Sequence, residues 1–202
     1  LEALLREHRS GEYTLDLGCG LGMYRELFPN RVGFDIAPGP AVDVVGDAHA
    51  LPFPDGTFDR ILCTEVLEHL HTPHTAIAEM QRVLKPGGTL ILTTPFVFPL
   101  HDAPHDYYRY TKYGLKHLFR DWDIIELRPN LSSQKSLAVL LQRVGYQTTL
   151  RANALGKFLV FVAARILNAL PSLMVEEYGD IKRSAKEKDI FAGGHFLVAK
   201  KK

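Results

Sequence analysis

Three carboxylates and a glycine-rich turn stand at the ends of short apolar runs near the start of the chain. Asp16 leads Leu17-Gly18-Cys19-Gly20-Leu21-Gly22, Asp35 precedes Ile36, and Asp47 precedes Ala48. Glycine lets the backbone turn tightly and lets a ligand reach main-chain N–H groups without meeting a Cβ. A diphosphate loop requires Gly-x-Gly-x-x-Gly. Here Gly22 comes one residue early and Met23 holds the expected place. Asp16 would repel a diphosphate and suits a cationic ligand, while Asp35 is placed to accept both hydroxyls of a ribose. Singly, each acid is as readily a helix cap or turn residue. Together, at three consecutive strand ends, they point to a positively charged nucleoside.

Two further clusters carry ionisable groups. Glu65-Val66-Leu67-Glu68-His69 follows an apolar run. As a helix it would align Glu65, Glu68 and His69 on one face through the i, i+3, i+4 relation. The second cluster is His101-Asp102-Ala103-Pro104-His105-Asp106-Tyr107-Tyr108-Arg109-Tyr110. Imidazole titrates near neutrality, so His105 or His101 is the expected general base, with Glu65 a further candidate. Tyr107 and Tyr108, with Tyr110, would shape an acceptor pocket, and Arg109 would read an acidic group on the substrate. The plainer alternative packs the tyrosines and pairs Arg109 with Asp102 or Asp106. Of the other histidines, His49 is expected on the nucleoside side, His195 at a strand start, and His8, His71, His74 and His117 on the surface.

The elements that must position these groups follow from periodicity. Leucines over 1–8 predict a leading helix, 13–17 a buried strand, and 23–28 a brief helix stopped by Pro29. Strands are expected at 31–36, 42–45, 58–64 and 89–94, with a helix at 73–84 closed by Lys85-Pro86-Gly87-Gly88. Further strands are expected at 123–127 and 195–200. Apolar strands alternating with helices define a parallel sheet covered on both faces. The expected fold class is α/β: a doubly wound, mostly parallel, seven-stranded sheet in one domain over 1–202.

These motifs resemble those of the class I S-adenosylmethionine (SAM)-dependent methyltransferases, in particular the short bacterial-type enzymes that act on small molecules. The resemblance rests on Thr14-Leu-Asp-Leu-Gly-Cys-Gly-Leu-Gly22, Gly33-Phe-Asp-Ile36, the stretch Gly46 to Asp59, and Arg82-Val-Leu-Lys-Pro-Gly-Gly-Thr-Leu90. It covers roughly 1–128 and the last strand. It implies SAM as cofactor, with its methionine part held by Asp16 and the backbone of Gly18, Cys19, Gly20 and Gly22. Asp35 and Ile36 would take the ribose side, Asp47 and Ala48 the adenine, and the backbone of Thr64 and Glu65 would lie beneath the sulfonium. Some relatives bind a divalent metal through Glu-x-x-Glu-His. Glu65, Glu68 and His69 match that motif, with His105 or His101 to complete it, and a Mg²⁺-like ion would activate an acceptor hydroxyl. Many metal-free relatives carry the Glu-His pair too, so both readings stand.

Residues 129–194 exceed what a turn between the last two strands needs and are expected to form a helical insertion. Within it, 155–175 is apolar on nearly every side but interrupted by Arg165 and Pro171, which suits a buried cap better than a membrane span. A homodimer contact or a peripheral membrane contact is the alternative use of that run. A net charge of +1 offers no field to recruit nucleic acid. With that, the resemblance implies a small-molecule acceptor, through O-methylation of a quinone-, lipid- or glycan-like metabolite. A small-RNA 2′-O-methyltransferase or a catalytically silent SAM-binding protein remain the alternatives. Two cysteines without metal or disulfide spacing suit a reducing cytoplasm. The chain opens at Leu1, not methionine, so an upstream segment is compatible with the sequence; no signal peptide pattern is visible.

Overall fold

A computed structural model describes all 202 residues, which divide into two compact units. The first comprises Leu1–Thr94, Asp102–Arg128 and Phe196–Lys202, and the second Pro95–His101 and Pro129–His195. The elements in chain order are α1 (Glu2–Arg6), β1 (Thr14–Leu17), β2 (Arg31–Asp35), β3 (Val44–Val45), β4 (Phe58–Thr64), α2 (Pro73–Val83), β5 (Leu84–Pro95), α3 (Lys112–Leu118) and β6 (Trp122–Pro129). Then come α4 (Ser133–Gln147), α5 (Asn153–Ala169), β7 (Glu177–Tyr178), β8 (Lys186–Glu187) and β9 (Gly194–Lys201).

Seven strands form one sheet in the order β3-β2-β1-β4-β5-β9-β6. The pairs β1–β2, β1–β4, β2–β3 and β4–β5 are parallel. Side chains on a strand alternate between faces, and the core follows that rule. Ile61 and Cys63 of β4, Leu90 and Leu92 of β5, and Leu197 and Ala199 of β9 join α2 and α3 in one cluster. Leu62, Ile91, Phe196 and Val198, which alternate with them along the strands, join Leu5 of α1 and Phe28 on the other face. Helix α2 buries Ala76, Ile77, Met80 and Val83, the spacing of a one-sided helix. Both faces are covered, as expected for the doubly wound class.

Three local expectations are corrected. Residues 23–28 form no helix. Positive φ at Gly20 and Gly22 and i+3 bonds from Gly22 N to Cys19 O, Arg25 N to Gly22 O and Leu27 N to Tyr24 O carry the chain through successive turns. The expected third strand shortens to Val44–Val45. Strand β5 begins at Leu84, immediately after α2; Phe58 pairs with Leu84 and Arg60 with Thr89, so residues 85–88 form an irregularity inside the strand. Gly87 takes φ +73° there.

In the second unit, α4 packs on α5, with Phe161 against Gly145 and Tyr146. Gln134 fastens the pair by donating to the carbonyls of Leu167 and Leu170. The insertion is not purely helical, because β7 and β8 form a separate antiparallel hairpin. No helix is long and apolar enough to cross a membrane.

Candidate functional site

Strand order reverses between β1 and β4: β2 and β3 lie to one side of β1, and β5 beyond β4. At such a switch point the connections after the two central strands diverge and leave a crevice at the carboxyl edge. A cavity of about 510 Å³ occupies that place, within the ordinary range for small-molecule sites (about 300–1,000 Å³). Its walls include Gly18 after β1, Asp35 and Ile36 after β2, Asp47 and Ala48 after β3, and Glu65 after β4. His49, Val66, His69, His71, Asp102, His105 and Tyr107 complete much of the lining.

The glycine loop is shaped by left-handed backbone at Gly18, Gly20 and Gly22, with φ of +71°, +50° and +68°, a region that L side chains enter at a cost. Asp35 ties loop to strand. Its Oδ2 accepts from Gly20 N at 2.9 Å and its Oδ1 from Ala37 N at 3.3 Å. A carboxylate offers about four acceptor positions, so two remain for a ribose diol. Asp47 Oδ1 accepts from the backbone N–H of His49 at 2.9 Å and meets its imidazole Nδ1 at 2.5 Å. The backbone bond first, and the ring bond with it, holds the Asp47 carboxyl below the usual range.

Asp16 is turned elsewhere. It is buried and lies 3.4 Å from the Arg31 guanidinium. Burial pushes its pKa up to about 6 against the opposing pull of Arg31. Arg31 also donates to Ala41 O at 3.0 Å and folds across Gly33. A Cβ at Gly33 would stand 2.1 Å from Ala41 O and 2.3 Å from that guanidinium. Gly33→Ala is therefore expected to lower stability by about 1–3 kcal/mol, the cost of overpacking; thermal unfolding matching wild type would refute this packing.

The acceptor side is built differently from the helical face expected for Glu65, Glu68 and His69. Glu65 has φ +55°, turning the chain out of β4, and only Leu67–His69 form a 3₁₀ turn. Leu67 and Leu70 are both buried, and a spacing of three suits the 3₁₀ repeat better than the α-helical one. As a result Glu68 points inward, fully buried, while His69 lines the cavity. Burial, then the charge of Glu65, raises the Glu68 pKa to about 8, so this carboxyl holds its proton at neutrality. The Thr94 hydroxyl lies 3.3 Å from its Oε2.

This short turn also anchors the segment that follows β5. The Glu68 carbonyl accepts from Tyr107 N at 3.0 Å and Tyr108 N at 3.2 Å. His69 Nδ1 donates to the His105 carbonyl at 2.8 Å. A carbonyl can only accept, so Nδ1 is the donor here, and Nε2 lies 3.7 Å from Glu68 Oε1. His105 Nδ1 meets the Tyr107 hydroxyl at 3.0 Å.

Several expected site residues sit away from the cavity wall. Arg109 is committed to the buried Asp106 side chain, with Nη2 to Oδ2 at 2.7 Å, the plainer of its two readings. Tyr108 donates to His71 O at 3.1 Å, and Tyr110 to Leu67 O at 3.3 Å. His101 belongs to the second unit, edge-on to Phe98. Cys19 is buried with its thiol 3.4 Å from Ala41 O, and Gly20, Gly22 and Thr64 support the loop and strand behind the lining. His71 is exposed, as expected, and there stacks on His49 with ring centroids 4.2 Å apart. Asp47, His49 and His71 bring ligand-type atoms within 4.8 Å of one another. Arg31, Val66 and this histidine pair carry no signature in the sequence, since each acts through a partner distant in the chain.

Residues 15–92 match the family described as Methyltransferase domain. That stretch runs from β1 into β5 and includes Gly18, Asp35, Asp47 and Glu65 of the cavity wall. Over those residues the chain is similar to the class I SAM-dependent methyltransferases. Demethylmenaquinone methyltransferase of Renibacterium salmoninarum is 35% identical over 96 residues, 41% of this chain and 40% of that protein. Probable tRNA methyltransferase 9B of Homo sapiens is 37% identical over 102 residues, 44% of this chain and 22% of that protein. The chain thus spans well under half the length of these curated relatives. A SAM-dependent methyltransferase of Methanosarcina mazei shares the fold, with a TM-score of 0.56 at 16% identity over all of this chain and 98% of the other.

The methyltransferase fold implies SAM as cofactor, and the lining fits it. Positive-φ glycines open the loop, Asp35 has acceptor capacity for a diol, and Asp47 is held ionised at the far end. Asp16, paired with Arg31, is not part of that lining.

Proposed function

We propose that this protein transfers the SAM methyl group to an oxygen nucleophile of a small molecule, of quinone-, lipid- or glycan-like character. The observation that carries the reading is one cavity that joins both halves of the chemistry. Asp35 and Asp47 line it on the cofactor side, and His69, His105 and Tyr107 on the other. When bound, SAM supplies a methyl group made electrophilic by its sulfonium. Asp35 and the glycine loop orient the nucleoside, which places the acceptor by proximity. His105 takes the acceptor proton, and His69, which lines the same cavity and is oriented by its Nδ1 bond to the His105 carbonyl, is the second base. Tyr107 holds the His105 ring through its hydroxyl.

The test is incubation with methyl-labelled SAM and separate quinone, lipid, glycan and RNA fractions, with and without a chelator. Label is expected in a small-molecule fraction. His105→Ala should lower kcat by about 10²–10⁴-fold, the range for a general base, with SAM affinity unchanged. Label in RNA would replace the small-molecule reading, and no label anywhere would leave a SAM-binding protein. Loss of activity on chelation would move His69 from proton handling to metal ligation, with Glu68 as the neighbouring carboxylate.

A further inference from the structure

The insertion's second helix has one apolar side too many for the chain to cover. On α5, Val160, Phe161, Ala164 and Leu167 lie on one side, where Phe161 meets α4 and Ala164 is fully buried. Leu155, Phe158, Leu159, Val162 and Ile166 form the opposite stripe at i, i+3, i+4, i+7 and i+11, and all five are exposed. Phe158 is 62% exposed and Leu159 56%. The burial expected for a helix apolar all round is thus met on one side only.

Charge identifies what covers the other. From residue 127 to 175 the sequence holds no Asp or Glu, yet it carries Arg128, Lys135, Arg143, Arg151, Lys157 and Arg165. The acids of this unit lie in the later segment around the hairpin, where Glu176 is paired with Lys186. Arg151 stands one turn before Leu155, and Arg165 borders the exposed stripe on the helix wheel. An exposed apolar stripe flanked only by cations is the pattern of a helix lying in a lipid interface. At 1.5 Å per residue α5 is about 25 Å long, and it does not qualify as a span.

We propose that α5 docks this protein on an anionic membrane surface, its Leu155–Ile166 stripe entering the interface and Arg151 and Arg165 meeting lipid phosphates. A second copy is a poorer occupant. A symmetric contact would bring Arg151 and Arg165 of both copies together, with no carboxylate on either helix to offset them. This inference is independent of the acceptor and of catalysis.

The experiment is flotation of the full chain with phosphatidylcholine vesicles and with vesicles containing phosphatidylglycerol. Wild type is expected to float with the anionic vesicles and to be released by high salt. Phe158→Glu combined with Leu159→Glu should weaken binding at least tenfold, and each of Arg151→Gln and Arg165→Gln about fivefold, the factor for one interfacial cation. Circular dichroism and S-adenosylhomocysteine calorimetry confirm that each variant folds. The arginine variants test the idea even if the double variant does not fold. Absence of wild-type flotation, equal binding to both vesicle types, or a dimer that the Phe158/Leu159 variant dissociates without any vesicle binding would each overturn the proposal.

Discussion

Asp35→Ala is expected to weaken binding of S-adenosylhomocysteine by about 10²–10³-fold, from the loss of two hydroxyl bonds to a charged acceptor at about 1.5–3 kcal/mol each, less their partial replacement by water. Isothermal titration calorimetry reads this directly. The carboxylate lies on the cavity wall and already accepts Gly20 N and Ala37 N, so its removal also loosens the glycine loop. Those two backbone donors are exposed and can turn to water, which limits the cost to the fold. Asp35→Asn retains one carbonyl acceptor and should lose less. Wild-type affinity in the alanine variant would remove Asp35 from the cofactor site.

The second large effect is on stability against pH. Glu68 sits fully buried with its pKa raised from 4.5 to about 8. Between those values the folded chain keeps a proton that the unfolded chain has released. Stability therefore falls as pH rises through this window, and does not recover above it. The integrated loss is on the order of 5 kcal/mol. Glu68→Gln keeps the shape and has no proton to lose. It should match wild type near pH 4 and exceed it by several kcal/mol near pH 9, measured by urea unfolding across that range. Asp16, raised to about 6, contributes the same sign in both proteins and cancels in the comparison. Parallel stability curves for the two would show that Glu68 is ionised in the fold.

Much of the cofactor side is legible in the amino-acid order. A strand buried on both faces is a continuous apolar run, so β1, β4 and β5 announce themselves. The glycines and acids at their ends then fall on the carboxyl edge whatever the detailed packing. Gly18, Asp35, Ile36, Asp47, Ala48 and Glu65 meet in one cavity for that reason.

What tertiary structure decided is where side chains at irregular positions point. Glu65, Glu68 and His69 suit a helical face by spacing, but the segment forms a 3₁₀ turn that buries Glu68 3.7 Å from His69 Nε2 while Glu65 and His69 line the cavity. The acid before the glycine loop reads as a ligand group, yet Arg31, fifteen residues on in sequence and one strand over in the sheet, claims it. Arg109 reads as a substrate contact and is held by Asp106. Local order in the chain sets periodicity and the positions of turns, because those depend on backbone geometry alone. The partner of a charged side chain depends on which distant segment the sheet brings beside it, and for Asp16 and His69 that was settled only by the assembled fold.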